Sequence, residues 1–149
     1  MGLDAGFFRM TATQLAAGLK KKAFSAQELL QASIERIEAL DPQINAVVVR
    51  DFERARTEAR LADEARARGG QKARTGIPMS VKQSLDLNWH PMTWGFTIHS
   101  AHVAREDALA VQRLKAAGAV VLGKTNVPPA LGDWQSANPI YGRTNNPHD

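Results

Sequence analysis

Apolar residues in the first half of the chain recur with the period of an α-helix. Two leucines four positions apart predict a first helix over residues 11–22. Residues 51–68 are rich in alanine and arginine and predict a long, solvated helix, which Gly69-Gly70 is expected to end. Residues 1–74 are therefore expected to be mainly helical.

The helix between these two is marked at both ends. Ser25 and Glu28 have the spacing of a capping box, in which a serine begins the helix and a glutamate three residues later bonds back to it. Apolar side chains follow at helical spacing as far as Leu40. The pair Asp41-Pro42 is expected to end this helix, because proline disfavours the helical conformation for the residue before it. The β-branched run at residues 45–49 is too short to assign.

The pattern changes in residues 75–149. Apolar positions alternate loosely from residue 77 and predict a buried strand near residues 79–82. Residues 106–117 predict a helix, with Ala110, Leu114 and Ala117 on one face, Val111 beside them and Gly118 as its cap; residues 119–122 predict a second buried strand, bounded by Gly123. A strand, a helix and a strand at this spacing form a βαβ unit, so we expect two neighbouring parallel strands.

The predicted fold class is thus α/β, with N-terminal helices followed by a βαβ unit. Residues 128–149 are rich in proline, glycine and asparagine and show no periodicity. Two strands with one crossover helix leave both outer sheet edges unpaired. We therefore expect an incomplete α/β domain, or one that needs a partner, with marginal stability on its own.

Two lysine-containing segments fall at the carboxyl ends of the predicted strands, where ligands bind in open α/β sheets. Lys82 ends the first strand, and Lys124-Thr125-Asn126 follows the second. Spacing alone favours an ordinary surface lysine at position 82. No glycine-rich loop precedes Lys124, so a phosphate-binding loop is not indicated. The polar side chains of this second segment are expected to tie loops together around the site, with Asn126 as a candidate for a hydrogen bond there.

Composition and charge narrow the class of protein. The chain has 149 residues, of which 44% are hydrophobic and 23% charged, as in a globular domain. It has no cysteine, which excludes disulfides, cysteine-bound metals and thiol nucleophiles. The net charge of +4 is spread out, and the basic stretch 50–74 also holds five acidic residues, so nucleic-acid binding is not expected.

Other classes of protein are not indicated by the sequence. The spacings of the four histidines match no metal motif, so no metal site is expected. No apolar run reaches the roughly 18 residues of a membrane helix. No secretory signal is recognised near Met1, so the expected location is the cytoplasm, without membrane contact.

Several segments together resemble the amidase signature family. The resemblance covers residues 11–149, and the motifs are specific in combination rather than singly. They are, in order, Ser25-Ala26-Gln27-Glu28-Leu29, residues 36–46, Thr75-Gly76-Ile77-Pro78-Met79-Ser80-Val81-Lys82, Thr93-Trp94-Gly95, residues 106–128, and a tail from Asn138 to Asp149 that resembles the family's approach to its serine-rich signature.

The resemblance implies hydrolysis of a carboxamide, or amide transfer, with no metal or cofactor. The family's catalytic set is a serine, a second serine on a cis peptide and a lysine, and Lys82 stands at the matching position of the lysine. The implied role of this lysine is to accept the nucleophile's proton through the bridging serine and to help return a proton to the leaving amine. An ordinary lysine has a pKa of about 10.4, so the role requires desolvation, which the apolar strand before Lys82 is placed to supply. The resemblance also makes Trp94, Trp134 and Gln135, with Asn126, candidates for lining the substrate pocket.

The sequence departs from the family in three ways. Both serines of the catalytic set are expected in a Gly/Ser-rich segment a few residues after Asp149, so the 149 residues alone are expected to be inactive. Gln83 stands where the family often has aspartate, and Pro129 where many members have glutamate.

Three interpretations stay open. The chain is the N-terminal part of a single amidase-signature domain, whose complete form acts on a small amide and whose mixed sheet is flanked by helices. It is a non-catalytic remnant or interaction module. Or it is one chain of a split amidase, in which a complementing chain supplies the serines; a homo-oligomer is also compatible with the sequence.

Overall fold

A computed structural model describes residues 4–69 and 76–148 of the chain. Gly70, Thr75 and Asp149, which belong to motifs described above, lie outside these residues. The helices are α1 (Asp4–Phe7), α2 (Ala12–Lys20), α3 (Ala26–Ile44), α4 (Phe52–Ala67) and α5 (Leu109–Ala116). The strands are β1 (Val47–Arg50), β2 (Ile77–Lys82), β3 (Ala119–Thr125), β4 (Ala137–Asn138) and β5 (Gly142–Arg143), with short 3-10 helices at Thr97–His99 and Pro129–Leu131.

Contacts within the chain divide it into two units whose segments alternate. Unit 1 takes the described residues within 1–38, 51–79 and 114–122, and unit 2 takes those within 39–50, 80–113 and 123–149. The α/β class is confirmed. The assignment of the chain to one domain stays a prediction.

In unit 1 the start of α3 is fixed by side chains. The predicted capping box at α3 is confirmed: the amide of Glu28 donates to Ser25 Oγ at 3.0 Å, and the amide of Ser25 donates to Glu28 Oε2 at 2.7 Å. The first turn of α3 is also tied to α4, because the Asp63 carboxylate accepts the amides of Ala26 at 2.8 Å and Gln27 at 3.1 Å. The helices of unit 1 bury an apolar core that includes Leu19, Leu29, Leu30, Ile34, Ala55 and Ala59.

The predicted end of α3 at Asp41-Pro42 is wrong, since the helix continues to Ile44. Proline removes one amide donor, and the rest of the turn closes without it. The amide of Asn45 donates to the Asp41 carbonyl at 2.7 Å, and the Asp41 carboxylate, which is 6% exposed, accepts the amide of Ala46 at 2.7 Å. The helix ends instead at Ile44, and the next residue, Asn45, has a φ of +59°.

The sheet has the strand order β1-β3-β2. Within unit 1 the amide of Gly76 donates to the Gly118 carbonyl at 2.8 Å, and within unit 2 that of Gln83 donates to the Thr125 carbonyl at 2.9 Å. Both bonds join residues with the same separation along the sequence, which shows that β2 and β3 run parallel, as predicted for the βαβ unit. The strand β1, in the run left unassigned above, pairs antiparallel with β3, so the sheet is mixed.

The strand β3 is longer than predicted, because it passes through Gly123 to Thr125. A Cβ atom at Gly123 would lie 2.3 Å from the Val49 carbonyl oxygen, so glycine is what lets β1 approach β3 here. Lys124 therefore lies inside a strand and not in a loop after it.

Three further elements differ from their predicted form. The helix α5 begins at Leu109 instead of residue 106, because the amide of Ala108 donates to the Asp86 carbonyl at 3.0 Å. The buried side chain of α5 is Val111, whereas Ala110, expected on the apolar face, is exposed. The strand β2 is only partly buried. The unperiodic tail contains the antiparallel pair β4-β5. Among residues 4–69 and 76–148, no helix is long and apolar enough to span a membrane.

Candidate functional site

Lys82 is the last residue of β2, and its side chain is exposed. The amide of Leu85 donates to the Lys82 carbonyl at 2.9 Å, so the chain turns directly after it. The desolvation expected at this lysine is therefore not supplied by the residues that the structure describes. What the structure places at the carboxyl end of the strand is an accessible primary amine, and its catalytic role stays a prediction.

Gln83, the next residue, is fully buried. Its side-chain nitrogen donates to the Pro91 carbonyl at 3.4 Å and to the Tyr141 hydroxyl at 3.3 Å. Its side-chain oxygen accepts the amide of Trp94 at 3.1 Å. One side chain thus joins the end of β2 to the loop at residues 91–94 and to the tail.

Trp94 is brought to the strand end by this bond and sits in a tight turn. Its φ is +52°, and its carbonyl accepts the amide of Ala130 at 3.0 Å, where φ is also +52°. The next residue, Gly95, approaches the backbone of Pro129 so closely that a Cβ there would lie 3.1 Å from Pro129 Cα. The Trp94 side chain is 38% exposed, so an apolar surface lies one hydrogen bond away from the neighbour of Lys82.

Lys124 is the buried lysine of unit 2, although its place in the sequence predicted only a role in tying loops. Its side chain is 0% exposed, and its ammonium donates to the Pro91 carbonyl at 2.5 Å. Burial lowers the pKa of the Lys124 ammonium to about 8, against the opposing effect of the nearby Asp86 carboxylate. The signal that could have located this buried amine is the apolar run before Gly123, had that strand been extended through the glycine.

Asn126 ties loops together, as predicted. Its side-chain nitrogen donates to the Gly142 carbonyl at 3.1 Å and to Thr144 Oγ1 at 3.0 Å, and its oxygen accepts from Asn138 Nδ2 at 2.8 Å. Asn138 is itself buried and holds the amides of Ile140 and Tyr141. Sequence reasoning missed Asn138. Contact between Asn126 and a substrate stays a prediction.

The other two pocket candidates, Trp134 and Gln135, lie in the unperiodic residues 128–149. Gln135 donates from its side chain to the Thr144 carbonyl at 2.9 Å, which places it in the same hydrogen-bond network as Asn126. Trp134 is fully exposed and packs against none of the described residues. The structure therefore joins Lys82 to Trp94 through Gln83, and Asn126 to Gln135 through Thr144.

The chemistry available at this end of the sheet is that of amines and amides. Within residues 4–69 and 76–148, no three histidine, aspartate or glutamate side chains lie close enough together to hold a metal ion. Lys82 offers an accessible primary amine, and the buried glutamine and asparagines hold the surrounding loops in fixed positions.

Comparison with known proteins gives one consistent family. The model of the amidase family matches residues 28–149. Indoleacetamide hydrolase of Bradyrhizobium diazoefficiens is 36% identical over 143 residues, which are 95% of this chain and 27% of that protein. A glutamyl-tRNA(Gln) amidotransferase subunit of Chromohalobacter salexigens is 36% identical over 139 residues, which are 93% of this chain and 29% of that protein.

The fold leads to the same family. One solved structure is an inhibitor-bound vestigial protein complex that reveals the evolutionary origins of an s-triazine catabolic enzyme. A chain of that structure is 38% identical to this one, with a TM-score of 0.88, and the match covers 94% of this chain and 31% of that chain. The present chain thus spans less than a third of the length of the relatives it matches. With the family model matched over residues 28–149 and the same fold in solved relatives, the chain belongs to the amidase family, that of the amidase-signature enzymes.

Proposed function

We propose that the complete protein hydrolyses the C–N bond of a carboxamide by a serine–cis-serine–lysine mechanism, and that Lys82 is its lysine. The observation that carries this proposal is the position of Lys82, an accessible amine at the carboxyl end of a parallel strand in a chain of the amidase family. Both serines would come from a Gly/Ser-rich segment outside the 149 residues.

In this mechanism Lys82 moves a proton and forms no bond to the substrate. Its neutral amine accepts the proton of the bridging serine, which takes the proton of the nucleophilic serine as that oxygen attacks the amide carbon. Lys82 then returns a proton through the bridging serine to the nitrogen of the leaving amine, and water afterwards hydrolyses the acyl-serine ester. Proton transfer by a positioned group contributes about 10²- to 10⁴-fold to a rate.

A neutral lysine amine requires surroundings that exclude water. Since the described residues leave Lys82 exposed, we infer that the remaining part of the complete protein covers it. Trp94 is proposed to line the acyl or amine pocket beside Lys82. Asn126, Trp134 and Gln135 are proposed to line other parts of the same pocket.

Association with a second chain is a separate proposal. One relative is named as a subunit of an amidotransferase, and another was solved as a protein complex. We propose that this protein, too, associates with a complementing chain or a second copy of itself. Light scattering of the purified natural-length protein, with and without co-purified chains, tests this; a monomer that turns over amides alone would contradict it.

The test of the proposed function is amide hydrolysis by the natural-length gene product, beside the 149-residue chain. Lys82→Ala should lower turnover by at least about 100-fold across a panel of aliphatic and aryl amides. The matched control is Lys20→Ala, which removes an exposed lysine in the last turn of α2 and should keep full activity.

Two outcomes would contradict the proposal. Turnover by Lys82→Ala within about threefold of the wild type would show that Lys82 does not relay the proton. Turnover by the 149-residue chain alone would show that a different nucleophile lies within it. A folded natural-length protein that hydrolyses no amide would favour the non-catalytic interpretation.

A further inference from the structure

Gln83 has every polar group of its side chain in use. Both side-chain amide hydrogens are donated, to the Pro91 carbonyl at 3.4 Å and the Tyr141 hydroxyl at 3.3 Å, and the oxygen accepts the amide of Trp94 at 3.1 Å. The side chain is 0% exposed, so water does not compete for these bonds. A buried amide that satisfies partners on three separate segments fixes those segments relative to one another.

The backbone on both sides of Lys82 is held as well. The amide of Gln83 donates to the Thr125 carbonyl at 2.9 Å, and the Lys82 carbonyl accepts the amide of Leu85 at 2.9 Å. The long side chain of Lys82 is exposed and makes no hydrogen bond or ion pair with the described residues. Its direction is therefore set at its backbone, and the side chain of Gln83 is what anchors that backbone to the surrounding loops.

Lys124 shares one of these anchors. Its ammonium donates to the same Pro91 carbonyl at 2.5 Å, while Gln83 Nε2 lies 3.4 Å from that oxygen, so the two nitrogens are within about 6 Å of each other. The Pro91 carbonyl thus receives two donors, one from each of the parallel strand ends.

We propose that Gln83 is a positioning residue for the proton relay: it holds the strand end, the Trp94 turn and the Pro91 carbonyl together so that Lys82 points in one direction. This inference rests on the proposed function, because it assigns Gln83 a role through Lys82. Gln83 itself does not touch the substrate.

The test compares Gln83→Met, Gln83→Glu and Tyr141→Phe in the natural-length protein. Methionine keeps the length of the side chain and removes all three bonds. It should lower kcat by about 10- to 100-fold, because a displacement of about 1 Å from the reacting position costs on this order. KM should change by a smaller factor than kcat, because the Gln83 side chain is 0% exposed and reaches the proposed pocket only through the Trp94 turn.

The conservative variants grade the effect. Gln83→Glu keeps an acceptor for the Trp94 amide and should recover part of the lost kcat. Tyr141→Phe removes only one partner of Gln83 and should lower kcat by about two- to fivefold. The control is Gln112→Met, which removes one exposed hydrogen bond to the Asp107 carbonyl and should leave kcat and KM unchanged.

A merely structural role gives a different pattern. It would lower the melting temperature and the yield of folded protein while kcat per folded molecule stayed at the wild-type value, and that result overturns the inference. Should Gln83→Met fail to fold, a wild-type kcat in both Gln83→Glu and Tyr141→Phe overturns it equally. If Lys82→Ala keeps its turnover, the proposed function fails and this inference fails with it. If Lys82→Ala is inactive and the Gln83 variants are fully active, only this inference fails.

Discussion

Replacing Lys124 by methionine removes a fully buried amine from the middle strand of the sheet. Burial lowers the pKa of this ammonium from 10.5 to about 8 in the folded chain, with Asp86 opposing the change. Between pH 8 and 10.5 the unfolded chain keeps the proton at this position while the folded chain loses it. The unfolded state therefore binds more protons, and the contribution of Lys124 to the free energy of unfolding rises with pH through this window.

The size of the effect follows from the shift. A pKa that falls from 10.5 to about 8 corresponds to about 3 kcal/mol between the two limits of pH. Below pH 8 the cost of burying the charge is present in full, and above pH 10.5 it is gone. Methionine has no titrating group, so the difference in unfolding free energy between wild type and Lys124→Met isolates this contribution.

Urea denaturation of the natural-length protein and of its Lys124→Met variant, followed by far-UV circular dichroism from pH 7 to 10.5, measures the difference. It should rise by about 3 kcal/mol in favour of the wild type. Lys20→Met, which removes one exposed positive charge, controls for the change in net charge. A difference that stays constant to within about 0.5 kcal/mol, or that falls as the pH rises, would refute the reasoning that Lys124 is buried as an amine.

Two further pairs of substitutions, each a test and its control, examine the packing around the site by urea denaturation. Asp41→Ala removes a carboxylate that is 6% exposed and should lower the free energy of unfolding by about 3 kcal/mol. Its control is Glu53→Ala, at a side chain that is 90% exposed, which should change the free energy of unfolding by less than about 0.5 kcal/mol. Equal effects of the two substitutions would contradict the role of Asp41. Gly95→Ala and Gly142→Ala both place a side chain at positive φ, but only the first meets the backbone of Pro129, at 3.1 Å. Gly95→Ala should therefore be the more destabilising by at least about 1 kcal/mol, and a smaller cost than that of Gly142→Ala would show that the turn at Trp94 is not tightly packed.

Local signals in the sequence predicted those parts of the fold that neighbouring residues determine. The capping box of Ser25 and Glu28 depends on residues three positions apart, and the structure forms it. The parallel strands follow from the spacing of strand, helix and strand. In contrast, the end of α3 depends on Asp41, whose carboxylate accepts the amide of Ala46 and holds the last turn together despite the donor lost at Pro42.

The parts that were not predicted depend on contacts between distant residues. The strand β3 continues through Gly123 because β1 pairs with it from more than 70 residues away. That extension is what buries Lys124, and nothing in the local pattern shows the pairing. Likewise the bonds of Gln83 reach Pro91, Trp94 and Tyr141, so its burial could not be deduced from its position after the strand.

Within the candidate site, the sequence resemblance predicted Lys82, whose role stays a prediction, and the structure adds what surrounds it. Exposure of Lys82 and burial of Lys124 reverse the expectation that the amine after the first strand would be the desolvated one. The residues that hold the site together, Gln83 and Asn138, are polar side chains whose partners lie in loops without periodicity.

The most direct test of the central claim is the ratio of kcat for wild type and Lys82→Ala in the natural-length protein, measured on one amide that the wild type hydrolyses. We expect a ratio of at least about 100, with Lys20→Ala at the wild-type value. A ratio below about three, with both proteins folded, would show that the amine at the end of β2 takes no part in the reaction.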